Sequence, residues 1–354
     1  MKNKIILIKT IFRLGLVNCL RVALHRAFIF FGLYLIKTPI KEIKISKLFN
    51  NLAIKDTFSF DKYWFESSRL ECLKEADHFL NGSIKTFGAL SKDNYLFKNG
   101  TENSNIFNHS FHWSFCKQFT KNDIKIFWEP SRFSWLPLLV RAWRYSNNEK
   151  YLLAIQYHID KWFSLNPFNK GLNWNCGQEV SIRLLHLLQA LYLLELQNSN
   201  LLNKNNLDNL IILHLERILV TLSYAKAQNN NHSISESAAL FIGGLYLNNI
   251  KYLNIGRKNL ESNVARLVMK DGSFSQYSMN YHRMVVDTLS QVELWRSFYE
   301  CDKFSFKFEE ACRNLTNWLF YFTDQVSGFA PNLGANDGSF CYQLHSQAFR
   351  DYRP

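Results

Sequence analysis

Asn230-Asn231-His232 and, fifty residues on, Tyr281-His282 are the side chains in this sequence best suited to hold an anion or move a proton. Each string stands at the edge of a long apolar pattern of helical period. The second follows Asp271-Gly272-Ser273-Phe274-Ser275-Gln276-Tyr277-Ser278, a turn and then a polar loop. No pair of carboxylates accompanies them, as hydrolysis of a glycosidic bond ordinarily requires. Asn, His and Tyr suit instead the removal of a proton beside a uronic-acid carboxylate, followed by elimination.

The roles follow from residue type. Asn231 occupies a helix N-cap position before the apolar run from Ala238 to Leu247. A helix start offers unpaired N–H groups and a favourable dipole to an anion. Asn231 and His232 could therefore hydrogen-bond a substrate carboxylate there, with Glu236 one turn on to orient the imidazole. The plainer alternative is an Asn cap beside a packed His. Tyr281 can serve as base and then acid in a syn elimination. With an ordinary pKa of about 10 it needs a nearby cation, such as His232, His282 or Arg283. Its plainer alternative is a buried Tyr with a satisfied hydroxyl. Stabilising the carbanion needs donors at the adjacent carboxylate, each typically worth about 3–4 kcal/mol.

The expected substrate-binding groups are Arg132, Trp174, Asn175, Glu236, Tyr277 and His282. Trp174 and Asn175 would form a sugar-stacking subsite. Arg132 would bind either a sugar carboxylate or a neighbouring Glu. Glu179 and Arg183 are four apart, which reads as a structural pair. The sequence lacks CxxC and Gly-rich phosphate loops, and the chemistry is expected to use no metal and no cofactor.

These side chains need elements to position them. Helix-length apolar patterns run over about 132–146, 149–165, 176–197, 207–227, 233–248, 251–270, 280–300 and 305–324, separated by breakers such as Asn166-Pro167 and Asp271-Gly272. Leu184 to Leu194 is apolar nearly all round, as in a helix buried on both sides. Strand-like alternation is scarce, so the fold class is all-α: antiparallel helices forming a bundle, solenoid or toroid. Residues 46–125 are irregular, with aromatic groups such as Tyr63-Trp64-Phe65 and Phe111-His112-Trp113.

The sequence has 354 residues, 47% hydrophobic and 20% charged, which describes a folded chain. Its net charge of +13 favours an acidic partner. Scattered cations without any RNA-binding signature argue against nucleic acid. Seven scattered cysteines make a disulfide framework improbable and lean towards a reducing compartment. Residues 1–45 are basic and apolar, and the run Ala27 to Ile36 is too short to span a bilayer, which takes about 20 residues. The expectation is an amphipathic helix that docks on the domain or makes peripheral membrane contact. With no cleavage site visible, a cytoplasmic or inner-membrane-associated location is favoured over the periplasm.

The strings in order resemble the heparinase II/III-like family of polysaccharide lyases, which includes oligoalginate lyases. They are Trp128-Glu129-Pro130-Ser131-Arg132, Trp162 to Pro167, Gly171-Leu172-Asn173-Trp174, Glu179 with Arg183, Asn231-His232 with Glu236, Asp271-Gly272-Ser273 leading to Tyr281-His282, and Asn332 to Gly338. The resemblance implies an incomplete (α/α) toroid of antiparallel hairpins over 46–345, followed in the family by a C-terminal β-sandwich. It also implies that Asn231 and His232 neutralise the carboxylate and that Tyr281 is catalytic. The first 45 residues look more like relatives tied to bacterial surface polysaccharide.

Two departures stand out: the chain reads as cut off before the β-sandwich, and Phe274-Ser275-Gln276 stands where relatives often carry a Glu. The leading expectation is β-elimination on a uronic-acid-containing polysaccharide. One alternative is a non-catalytic glycan-binding or assembly protein. Another is a toroid glycoside hydrolase drawing on Glu179, Glu236, Asp271 and Asp337.

Overall fold

A computed structural model describes residues 14–42, 66–86, 89–91, 111–116, 124–194, 203–336, 338 and 342–343. The helices are α1 Leu16–Phe30, α2 Leu33–Lys37, α3 Glu66–Leu80, α4 Lys125–Trp128, α5 Trp135–Ser146, α6 Lys150–Leu165 and α7 Gly177–Leu194. They continue with α8 Lys204–Ala227, α9 His232–Tyr246, α10 Ile250–Leu267, α11 Met279–Phe298 and α12 Phe306–Phe322. The strands among the described residues, β1 Ile84–Thr86 and β2 Ala89–Ser91, pair as one antiparallel hairpin.

Local chemistry sets the ends. Asn203 Oδ1 accepts from the N–H of Asn206 at the start of α8, and Asn249 Oδ1 accepts from those of Lys251 and Tyr252 at the start of α10. Ser278 Oγ accepts from the N–H of Tyr281 and so fixes the start of α11. Asn147 terminates α5 in the left-handed conformation that Asn tolerates.

The helices form two layers. Consecutive helices pair as α5/α6, α7/α8, α9/α10 and α11/α12, while α5–α7, α7–α9 and α9–α11 also touch. That is a curved double layer in which α5, α7, α9 and α11 form the inner row, an incomplete toroid of helical hairpins. The inner helices α7 and α9 are buried along almost their whole length, matching the all-round apolar sequence from Leu184. The α9/α10 pair approaches closely because small residues meet there. A Cβ on Gly256 would lie 2.3 Å from the backbone nitrogen of Phe241, and one on Gly244 would lie 2.4 Å from that of Leu253; towards α8, one on Gly243 would lie 2.8 Å from Leu215 Cδ2.

The basic N-terminal segment docks on this body. The apolar run expected as one helix breaks at Gly32, which is left-handed and separates α1 from α2. His25 stacks on Tyr224 of α8 at 3.9 Å and its Nδ1 lies 2.8 Å from Tyr34 Oη. Lys41 and Phe168 exchange backbone hydrogen bonds of 3.1 and 3.0 Å, stitching the segment to the loop after α6. Tyr63, Trp64, Phe65, Asp337 and the last residues from Leu344 lie outside the described residues.

Gly256→Ala should destabilise the fold by about 1–3 kcal/mol, the usual cost of overpacking, because its obstacle is backbone. Gly243→Ala should cost less, since a leucine side chain can turn away. Urea unfolding of both variants checks the order.

Candidate functional site

The inner helices run parallel, because each is followed by an antiparallel outer partner, so their N-termini share one rim. Three contacts join those starts in series. Arg132, in a short 3-10 turn just before α5, reaches Glu179 in the first turn of α7, with Nε–Oε2 2.7 Å and Nη2–Oε1 2.9 Å. Gly177 at the start of α7 lies under the carboxyl of Glu236, so closely that a Cβ would come within 2.6 Å of Oε1. The N–H of Asn231, just before α9, donates to Gln276 Oε1 at 2.9 Å in the loop that leads into α11. Sequence reasoning placed Gln276 only in a polar loop, yet it connects the two strings.

Asn231 sits at the cap position but does not cap. It is the side chain of Asn230 whose Oδ1 accepts from the N–H of His232, at 3.1 Å. The Asn231 amide instead donates to Met284 Sδ at 3.5 Å, a weak acceptor one turn beyond Tyr281 on α11. The His232 ring makes no hydrogen bond within the protein and is partly exposed. Burial lowers its pKa, against opposing pulls from Glu236 and Glu179, so the neutral imidazole is favoured. Tyr281 is half-buried in the first turn of α11. The preceding loop is braced by Ser278 Oγ donating to the carbonyl of Ala335 and by the N–H of Met279 donating to that of Leu333 at 3.0 Å.

Several expected groups do other work. His282 is buried, with Nε2 2.9 Å from the carbonyl of Leu315 and the ring stacked on Trp318 at 4.5 Å, so it anchors α12. Trp174 is fully buried and forms no sugar platform. Asn175 donates to the carbonyl of Trp113 at 2.8 Å. Arg132 is held by Glu179 and also by Glu129, the neighbouring-Glu partner that the sequence offered as one alternative. Arg183 does not pair with Glu179. Its guanidinium lies 4.6 Å from the ring centroids of both Trp162 and Trp174 and donates to the carbonyl of Asn173. Arg217, which the sequence did not flag, donates to the carbonyls of Trp174 and Asn175, each at 2.8 Å. Together these two buried arginines clamp the turn that starts α7.

Glu236 is buried, makes no hydrogen bond to His232 and is inaccessible to substrate in this arrangement. Burial pushes its pKa up from an ordinary 4.5 to about 8, so it is largely protonated near neutrality. Tyr277 is 74% exposed on a left-handed residue before α11, and its carbonyl packs against Gly334. Among the hydrolase candidates, Glu179 is ion-paired, Glu236 is buried, and exposed Asp271 caps its own turn through Ser273 at 2.7 and 2.9 Å. Asp337 lies outside the described residues.

The family model for the heparinase II/III N-terminus matches residues 82–332. The chain belongs to that family. A heparin-sulfate lyase of Bacteroides thetaiotaomicron is 24% identical over 198 residues, 54% of this chain and 28% of that protein. A crystal structure of heparinase III superposes with a TM-score of 0.51 at 18% identity, covering 80% of this chain and 43% of the other. A methylated-lysine form of heparinase III gives 0.50 at 16% identity, covering 84% and 45%. At such identities the structural likeness shows the fold, the helical toroid. The chain spans less than half the length of these relatives.

Glu179→Ala should cost about 3–5 kcal/mol in urea unfolding, because it strips a buried guanidinium of its bidentate partner. Glu236 has a folded pKa above its unfolded one, so its stabilising neutral form is complete below about 4.5 and is lost as pH rises through about 8. Glu236→Gln should therefore melt like wild type near the unfolded value and above it at alkaline pH. Melting curves across that window check the sign.

Proposed function

We propose that this domain acts on a uronic-acid-containing polysaccharide by β-elimination, with Asn231, His232 and Tyr281 at the reacting sugar. The observation that carries this reading is the Asn231–His232 pair at the start of α9. Its cap duty is taken by Asn230, which leaves an amide bound only to a thioether and an imidazole with no hydrogen bond inside the protein. Polar groups held so at a helix start suit an anionic ligand. The neutral state favoured for Glu236 and the ion-pairing of Glu179 reduce repulsion of an incoming carboxylate.

In this reading the side-chain amide of Asn231 and the imidazole N–H of His232 bind the C5 carboxylate and stabilise charge that spreads into it as the C5 proton leaves. The phenolate of Tyr281 takes that proton. The C5 electron pair forms the C4–C5 double bond, the C4–O bond breaks, and the phenol returns its proton to the departing oxygen. No electrons are exchanged and no metal or cofactor enters. Exposed Tyr277 would stack on a neighbouring sugar. The partner class is an acidic polysaccharide, and the net charge of +13 supports it. A link to bacterial surface polysaccharide rests on the basic N-terminal segment.

Tyr281→Phe should abolish the ultraviolet absorbance of unsaturated uronate product while binding of the polyuronate persists. Product formation undiminished in that variant would remove Tyr281 from the chemistry. Saturable binding without product in the wild type would favour a non-catalytic glycan-binding role.

A further inference from the structure

We infer that α1 and α2 form a membrane-docking face for an anionic bilayer surface. One side of α1 packs on α8 through the His25–Tyr224 stack, and burial holds His25 well below its ordinary range, at about 4, so the packed side is neutral. Among the described residues the opposite side is apolar and largely uncovered. Leu16, Leu20, Ala23, Leu24, Ala27 and Phe30 follow the helical repeat, and Leu16, Leu20 and Phe30 are 83%, 60% and 82% exposed. The strip continues past Gly32 into Leu35 and Ile36, which is 79% exposed. A soluble surface rarely leaves so long an aliphatic strip bare.

Charge identifies the occupant. Arg21 and Arg26 flank the strip, Lys37 follows it, and no Asp or Glu occurs from residue 14 to 41. Beside Arg21 lies a second group of cations on α8 and α10: Lys226, Lys258 and Arg266, whose proximity, after burial, lowers the Lys226 pKa. An apolar face bordered by cations matches an interface of acyl chains below anionic headgroups. At 15 residues α1 is too short to cross a bilayer, and no described helix is long and apolar enough to do so. The helix therefore lies in the plane of the surface. Lys226 also precedes the Asn231–His232 turn by only a few residues, so docking would hold the candidate site near the membrane.

Sedimentation of the full chain with vesicles tests this. With phosphatidylcholine containing about one third phosphatidylglycerol the chain should partition at least roughly tenfold more strongly than with phosphatidylcholine alone, and high salt should weaken it. The double variant Leu20→Glu with Leu24→Glu changes exposed positions, so it should melt like wild type yet remain with the supernatant. Arg21→Glu should lose more than the roughly fivefold that corresponds to ~1 kcal/mol for one basic residue near an anionic surface. Equal partition to both vesicle types, or sedimentation of the double variant like wild type, would overturn the inference. So would a dimer that the double variant dissociates without vesicle binding, or retention of an acidic oligosaccharide by these cations while vesicles are ignored. Because the readout is binding to lipid, it stands or falls apart from the proposed elimination.

Discussion

Parallel inner helices impose the constraint on which the site depends. Once each inner helix is paired with an antiparallel outer one, the starts of α5, α7, α9 and α11 must gather at one rim. Unpaired N–H groups and the positive ends of the helix dipoles gather there too. Arg132–Glu179, Gly177–Glu236 and Asn231–Gln276 then lock those starts into register. Breaking one link moves the next, since each joins neighbouring helices and not residues within one helix.

Two buried arginines hold the turn that starts α7. Arg183 and Arg217 are fully buried, and each is satisfied by carbonyls of the turn before α7 and by aromatic faces. Their cost is offset by fixing a turn that would otherwise leave its carbonyls unmet. Glu236 Oε2 is buried without a hydrogen bond, and the Asn231 amide meets only a thioether. Such under-satisfied groups inside a well-packed body are where folding consistency yields to function. They lie beside His232 and within a turn of the Tyr281 helix, and that coincidence supports the proposed chemistry more strongly than any single residue does.

Much of this was legible in the sequence. The apolar period placed the eight main helices within about three residues of their observed ends where both are described, and Asn231, His232 and Tyr281 fall at helix starts as expected. What the sequence withheld was direction and partner. Trp174 sits among polar neighbours and reads as a surface ring, yet the turn folds it under α7 against Arg183. His282 follows Tyr281, but consecutive helical residues point about 100° apart, so the two side chains diverge and His282 makes the α12 contact. Arg132 and Glu179 are 47 residues apart, beyond any local spacing rule, while the tempting Glu179–Arg183 spacing does not form a pair. Arg217 and Gln276 lacked a local signal altogether, because each acts on a loop distant in sequence.

Recognition of a substrate carboxylate at the start of α9 is the claim on which the chemistry rests. Nuclear magnetic resonance titration of the full chain, following the Asn231 amide and the His232 ring, tests it with a uronate oligosaccharide and with the same oligosaccharide reduced to its neutral sugar alcohol. The account predicts that the acid shifts both signals saturably and that the neutral form does so at least roughly tenfold more weakly. Equal shifts with both, or binding of the acid that leaves Asn231 and His232 unmoved, would contradict it.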